Sequence, residues 1–87
     1  MKVILPSPLH SYTGGKVEVE TLGATLDEVL RDLDARYPGM RFRIIDEQGA
    51  VRPHLRIFRN RQDMLRSLSA PLRPEDEVLV VALLSGG

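Results

Sequence analysis

The chemistry this sequence could carry is concentrated at its end, which reads Leu84-Ser85-Gly86-Gly87. The two closing glycines put the free carboxylate on Gly87. Lacking a Cβ, Gly86 and Gly87 can thread a cleft where any other residue would clash, and they tolerate unusual backbone angles. Four extended residues span roughly 13 Å, enough to enter a neighbouring protein. A carboxylate is a poor electrophile until it has a leaving group. Were a partner enzyme to adenylate Gly87 with ATP, the acyl-adenylate could accept sulfur or an amine. Ser85 is then part of the arm and not a nucleophile, because no base is spaced to serve it.

Little else competes. His10 and His54 have neither a metal-spaced partner nor a paired nucleophile, so solvated or packing roles are expected. The chain has no cysteine. That removes a disulfide framework, a thiolate zinc site, a redox pair and a cysteine nucleophile. Any sulfur the chain carries must therefore sit on the backbone carboxylate of Gly87.

An arm of this kind needs a body to hold it. Lys2 to Leu5 reads as a first strand, stopped by Pro6 and Pro8. Thr13-Gly14-Gly15 is a turn, and Lys16 to Glu20 alternates with the period of a strand that has one wet face. His10 falls in the loop between them. Thr25 and Glu28 form a capping box. Leu26, Val29, Leu30, Leu33 and Tyr37 then make one apolar stripe along a helix over about 25–37, and Pro38-Gly39 ends it. Met40 to Ile45 is expected to be a short helical turn with Phe42 and Ile45 packed inward. Asp46 to Gly49 is a turn, and His54 to Arg59 reads as a central strand. Asn60 to Asp63 is a turn, Met64-Leu65 a brief edge strand, and Pro71 and Pro74 bracket a loop. Glu77 to Leu84 is a last strand, apolar at every position from Val78 to Leu84. A strand apolar on both faces belongs in the middle of a sheet, with the first strand as its neighbour. A mixed sheet of four to five strands over one helix is the economical packing. This is an α+β fold, the β-grasp or ubiquitin-like roll, with the body over 1–83 and the arm over 84–87.

Composition bounds the alternatives. At 87 residues, folding buries only about 60–65% of the unfolded surface, which leaves little room for a deep active site. Twelve basic and twelve acidic residues balance, which argues against a nucleic-acid binder or a polybasic membrane module. Hydrophobic residues are 43% and charged residues 28%, ordinary for a globular domain. Neither a membrane-spanning run nor a signal peptide is evident, so a cytoplasmic protein is expected. The balance hides a pattern: residues 41–73 hold eight arginines against Asp46, Glu47 and Asp63. Those arginines read as a solvated face or as a patch for an acidic partner. Only Phe42 and Phe58 accompany them, too few for a base-stacking platform.

At this point the chain resembles the MoaD/ThiS-like sulfur carriers, typified by the small subunit of molybdopterin synthase and the thiamine-biosynthesis carrier. The resemblance spans nearly the whole chain. Its marks are Thr25 to Leu30 closed by Tyr37-Pro38-Gly39, then Arg52-Pro53-His54-Leu55-Arg56-Ile57-Phe58-Arg59-Asn60, then Asp76-Glu77-Val78 leading to Ser85-Gly86-Gly87. It implies a thiocarboxylate on Gly87. A ubiquitin-activating-enzyme-like adenylyltransferase would form the adenylate with ATP, and a sulfurtransferase or persulfide donor would replace it with sulfur. An acceptor such as a molybdopterin synthase large subunit or a cysteine synthase would take the sulfur. No tightly bound cofactor is implied. The protein is then a carrier and not an enzyme, although it could count as the small subunit of a molybdopterin synthase-type sulfurtransferase. Molybdopterin synthesis ranks first as destination, with a cysteine or thiamine-type pathway next. The chain departs from the family at Arg59, where an apolar residue is usual, and at Arg61, where a glycine is frequent. The second departure argues against the tight turn that Asn-Gly favours.

The last strand also suggests where partners dock. Val78, Val80 and Ala82 point one way, and Leu79, Val81 and Leu83 the other. One helix covers one face, so the second row is expected to be exposed with Phe58 beside it and Leu84 at its end. Contiguous exposed apolar surface marks a binding site. Two further readings stand: a ubiquitin-like modifier joined through Gly87 to lysines, and a non-covalent β-grasp interaction module. Lys2 and Lys16 are the only lysines, which limits self-linked chains.

Overall fold

The computed structural model describes residues 1–83, and the arm and Leu84 lie outside the described residues. Thr25 caps the main helix as its spacing predicts. Its Oγ1 accepts from the backbone N–H of Glu28 at 3.2 Å, and Glu28 Oε1 accepts from that of Ala24 at 3.2 Å. Helix α1 runs Leu26–Arg36 and buries Leu26, Val29, Leu30 and Leu33. A Cβ on Gly23 would meet the backbone nitrogen of Val29 at 2.7 Å, and Gly23 has φ 156°, so only glycine lets the chain pass this close to the first helical turn. Tyr37 ends the helix, and Gly39 turns at φ 95°.

Helix α2, Met40–Ile44, follows directly. Met40, Ile44 and Ile45 are buried, but Phe42 is 54% exposed. The expectation that Phe42 packs inward is therefore wrong. Five residues make little more than one turn, and Met40 and Ile44, four apart, take the inward side. The guanidinium of Arg52 stacks 4.7 Å from the Phe42 ring centre instead.

Strands β1 (Lys2–Ile4), β2 (Glu18–Glu20), β3 (Leu55–Arg59), β4 (Gln62–Asp63) and β5 (Glu77–Ala82) form one sheet in the order β2-β1-β5-β3-β4. The β1–β5 pair is parallel and the other pairs are antiparallel. The apolar last strand is central, with the first strand beside it, as the pattern predicts. Val3, Val19, Val78, Val80, Ile57 and Leu55 from the sheet join Leu26, Val29, Leu30 and Leu33 of α1 in a single core. This is the expected α+β β-grasp roll, with five strands.

Several boundaries move. The segment Ser7–Thr13, including His10, is a 3-10 helix and not a loop. Strand β2 begins at Glu18, not Lys16. The edge strand is Gln62–Asp63, two residues before the expected Met64-Leu65. The reason is the turn. Phe58 pairs with Asp63 and Arg59 with Gln62, so only Asn60 and Arg61 connect the strands, at φ 47° and 72°. This is the tight two-residue connection that Arg61 had argued against. Asn60 compensates by tying the turn to β5. Its Nδ2 donates to Asp76 Oδ1 at 2.9 Å, its Oδ1 accepts from the Glu77 N–H at 2.9 Å, and its own N–H donates to the Glu77 carbonyl at 2.9 Å. Asp76 Oδ2 accepts from the Arg73 N–H at 2.9 Å. Those bonds, from Arg73 first and then Asn60, hold the Asp76 carboxyl below the usual range. Arg59 also finds a use, donating to the Pro71 carbonyl at 2.8 Å.

Candidate functional site

Strand alternation divides the sheet into two faces. The face away from α1 presents Ile4 from β1, Leu79 and Val81 from β5, and Phe58 from β3. Leu79 is paired with Ile4 on one side and with Phe58 on the other, which puts three large apolar side chains in one row across the sheet. Val81 sits opposite Arg56 in the next row. All four apolar residues are half-buried and lie outside the core cluster. Thr25 bridges to Pro71 at the start of α1, and α2 packs on α1 and on the 3-10 helix. Of the five residues expected to dock a partner, the structure places Phe58, Leu79 and Val81 on this face, and Leu83 just beyond, 41% exposed. The fifth, Leu84, lies outside the described residues, as do Ser85, Gly86 and Gly87.

Ile4 was missed. The signal was present, since Lys2 to Leu5 buries Val3 and Leu5 and turns Ile4 to the other side. Charged residues border the row. Lys2 and Glu18 pair at 3.3 Å near the β2 edge, while Arg56 and Asp63 stand on β3 and β4. An apolar strip with a charged border suits a transient protein contact.

The last described residue, Leu83, follows the central strand β5. The Leu83 N–H donates to the His54 carbonyl at 2.7 Å, extending the β3–β5 ladder to the last described residue. His54 thus meets the last described residue through its backbone, and it is exposed. Beside it opens a groove of about 720 Å³ lined by Tyr12, Phe42, Arg43, Glu47, Arg52 and His54, among others. His10 is occupied elsewhere, its Nε2 lying 2.8 Å from the Leu5 carbonyl. Among the described residues, no three His, Asp or Glu side chains are placed to hold a metal ion.

The arginine block proves largely structural. Arg41 pairs with Asp27 at 3.1 Å. Together with Arg31, whose bond is the stronger influence, it holds the Asp27 carboxyl below its usual range. Arg43 donates to the Tyr12 hydroxyl. Arg52 donates to the Phe42 carbonyl at 2.8 Å, and Arg66 reaches the carbonyls of Val51, Arg52 and Pro53 at 2.7, 3.1 and 3.2 Å. Among the described residues, Arg56, Arg61 and Arg73 make no side-chain hydrogen bond or ion pair.

The ThiS family model matches residues 3–87. The chain belongs to the ThiS family. It is 32% identical over 89 residues to the sulfur carrier protein CysO of Mycobacterium tuberculosis, covering 98% of this chain and 96% of that protein. It is 36% identical over 66 residues to small archaeal modifier protein 3 of Haloferax volcanii, covering 74% and 71%. Among solved structures, a chain of the Amycolatopsis orientalis BexX/CysO complex superposes with a TM-score of 0.89 at 28% identity, covering 99% of this chain and 98% of that one. Two of the segments on which the resemblance rests meet physically here. The segment ending in Asn60 and the segment beginning at Asp76 are tied by the bonds that close the β3–β4 turn.

Proposed function

We propose that this protein is a sulfur carrier that works through a thiocarboxylate on Gly87. The observation that carries the reading is a family match running through Gly87, on a fold whose central strand leads straight to the arm. Residues 1–83 act as the recognition body and residues 84–87 as the arm. In a ubiquitin-activating-enzyme-like partner, a carboxylate oxygen of Gly87 attacks the α-phosphorus of ATP and pyrophosphate leaves. A sulfur nucleophile then attacks the acyl carbon and AMP leaves. Where that nucleophile is a persulfide, a thiol cleaves the resulting acyl disulfide and frees the thiocarboxylate. The chain supplies no catalyst for these steps. It offers the strip of Ile4, Phe58, Leu79 and Val81 for docking and delivers Gly87 to the partner's cleft. Adenylation consumes ATP, which suits the cytoplasm. The CysO relative moves a cysteine-type destination ahead of the molybdopterin pathway that the resemblance ranked first.

A second reading is favoured by the modifier relative: Gly87 joined to lysine amines, through the same adenylate. Intact mass of the protein isolated from its host separates the two. Replacement of one oxygen by sulfur at Gly87 supports the carrier. A Gly-Gly remnant on lysines of larger host proteins supports the modifier. If Gly87 stays a plain carboxylate after incubation with ATP, a sulfur donor and the cognate activating enzyme, the carrier reading fails. Deleting Gly86 and Gly87 abolishes loading on either covalent reading. A non-covalent module would keep its function.

A further inference from the structure

Beyond the edge strand β4 the backbone does something unexpected for its residues. Leu65 and Arg66 both lie in the left-handed region, at φ 52° and 61°. Bulky side chains are strained there, and glycine or asparagine is the usual occupant. The turn is nevertheless fastened on every side. Asp63 Oδ1 accepts from the Leu65 N–H at 2.8 Å. Buried Met64 donates its N–H to the Ile57 carbonyl at 2.9 Å and accepts from the Ser67 N–H at 3.1 Å. The Arg66 guanidinium clamps the carbonyls of residues 51–53. Strain held in place by its surroundings points to use. Leu65 is 82% exposed. A leucine here neither packs on the body nor suits its backbone, so the fold alone would be better served by a smaller residue.

The position says what it could serve. Asp63 stands opposite Phe58, on the open face of the sheet. Leu65 borders a shallow depression with Arg56, Asp63 and Arg66, at the charged β4 margin of the apolar strip. Asp63 is engaged by the Leu65 N–H, and Arg56 has no side-chain partner among the described residues, so the local surplus of charge is positive.

We propose that Leu65 is a preformed apolar anchor, which enters an apolar socket with an acidic rim on the enzyme that activates Gly87. This rests on the carrier reading, which requires such an enzyme to grip the body while it works on the arm. Presenting the anchor in a fastened turn avoids ordering it on binding.

The test uses the full chain and the adenylyltransferase of the same host, with dissociation constants from calorimetry and melting curves of each variant. Leu65→Gly and Leu65→Asn are expected to raise the melting temperature by about 4 °C or more while weakening binding about tenfold or more. Leu65→Met should bind within about threefold of the native chain and show no thermal gain. Gain of stability together with loss of affinity is a pairing that a merely structural role does not produce. Native-like affinity of the Gly and Asn variants overturns the proposal, as does a fall in their melting temperature. A change confined to self-association assigns Leu65 to a second copy and overturns it too. If the native chain is itself not adenylated, the carrier reading falls first. If it is adenylated and the variants bind unchanged, only the anchor falls.

Discussion

Val80 and Val81 are neighbours in one strand with opposite assignments. Val80 is 1% exposed in the core beneath α1, whereas Val81 is half-buried on the open face, opposite Arg56. The same contrast runs along β5, with Val78 sealed and Leu79 between Ile4 and Phe58. Both faces are apolar, but only one is used by the fold. Because a single helix can cover only one side of a sheet, the apolar residues of the other side stay half-buried outside the core. On the proposed reading, identical chemistry serves folding in one residue and recognition in the next.

The sharpest way to break this contrast is a charge on each face. Val80→Asp buries an unpaired carboxylate and should cost about 4 kcal/mol or more. That is a large part of the stability of a domain this size, and circular dichroism should show a mostly unfolded chain. Val81→Asp places the carboxylate across from Arg56, where a cross-strand pair is tolerated. It should change stability by about 1 kcal/mol or less while weakening binding to the activating enzyme about tenfold or more. Unfolding of Val81→Asp would show that the open face belongs to the core after all.

The covered face depends on α1 lying close to the chain that enters it. Gly23→Ala forces a Cβ against the Val29 backbone and should cost about 1–3 kcal/mol in denaturant titration. The β3–β4 turn, at the sheet edge, should respond in the opposite direction. Arg61→Gly relieves a left-handed arginine, partly offset by glycine's freedom in the unfolded chain. A net gain of about 0.5–1 kcal/mol is expected.

The smallest effect is that of pH. Asp32, Asp46 and Asp76 are held below the usual range first by the backbone N–H groups of Leu22, Ala50 and Arg73 respectively, and Asp27 first by Arg31. A lowered carboxyl value in the folded state means that the unfolded chain binds protons first. This stability is present above about pH 4 and is lost as pH falls through the folded values. Melting temperature should be flat from neutral pH down to that point and then decline. All four groups are half-exposed, Asp27 and Asp32 along α1 and Asp46 and Asp76 in turns, so both faces of the sheet should lose stability together.

What could be read from the residues follows the strength of their periodicity. Helix α1 repeats its apolar positions over three turns, and β5 is apolar throughout, so both declare their place. Helix α2 is too short for its period to orient Phe42. Strands β2 and β4 are edges, where the alternation of Lys16 to Glu20 overruns the three residues that pair. The left-handed turns defeat local reading for a different reason. Asn60 is held by Asp76 and Glu77, sixteen and seventeen residues away, and Arg66 by carbonyls thirteen to fifteen residues back. No neighbouring glycine signals them. The row of Leu79 and Val81 was legible because successive residues of a strand face opposite ways. Ile4 escaped because a four-residue apolar run, Val3 to Pro6, hides its own period.

The placement of β5 also has a mechanical consequence. Its neighbours β1 and β3 grip it from both sides, and the ladder continues to Leu83. A pull on Leu83 along the strand axis runs at right angles to the antiparallel β3–β5 bonds and obliquely to the slanted parallel β1–β5 bonds. Such a load is shared by the whole ladder in shear and does not open it one bond at a time, as it would on an edge strand pulled sideways. On the proposed reading, this lets a partner draw on the chain's end, and release it, while the recognised body stays folded.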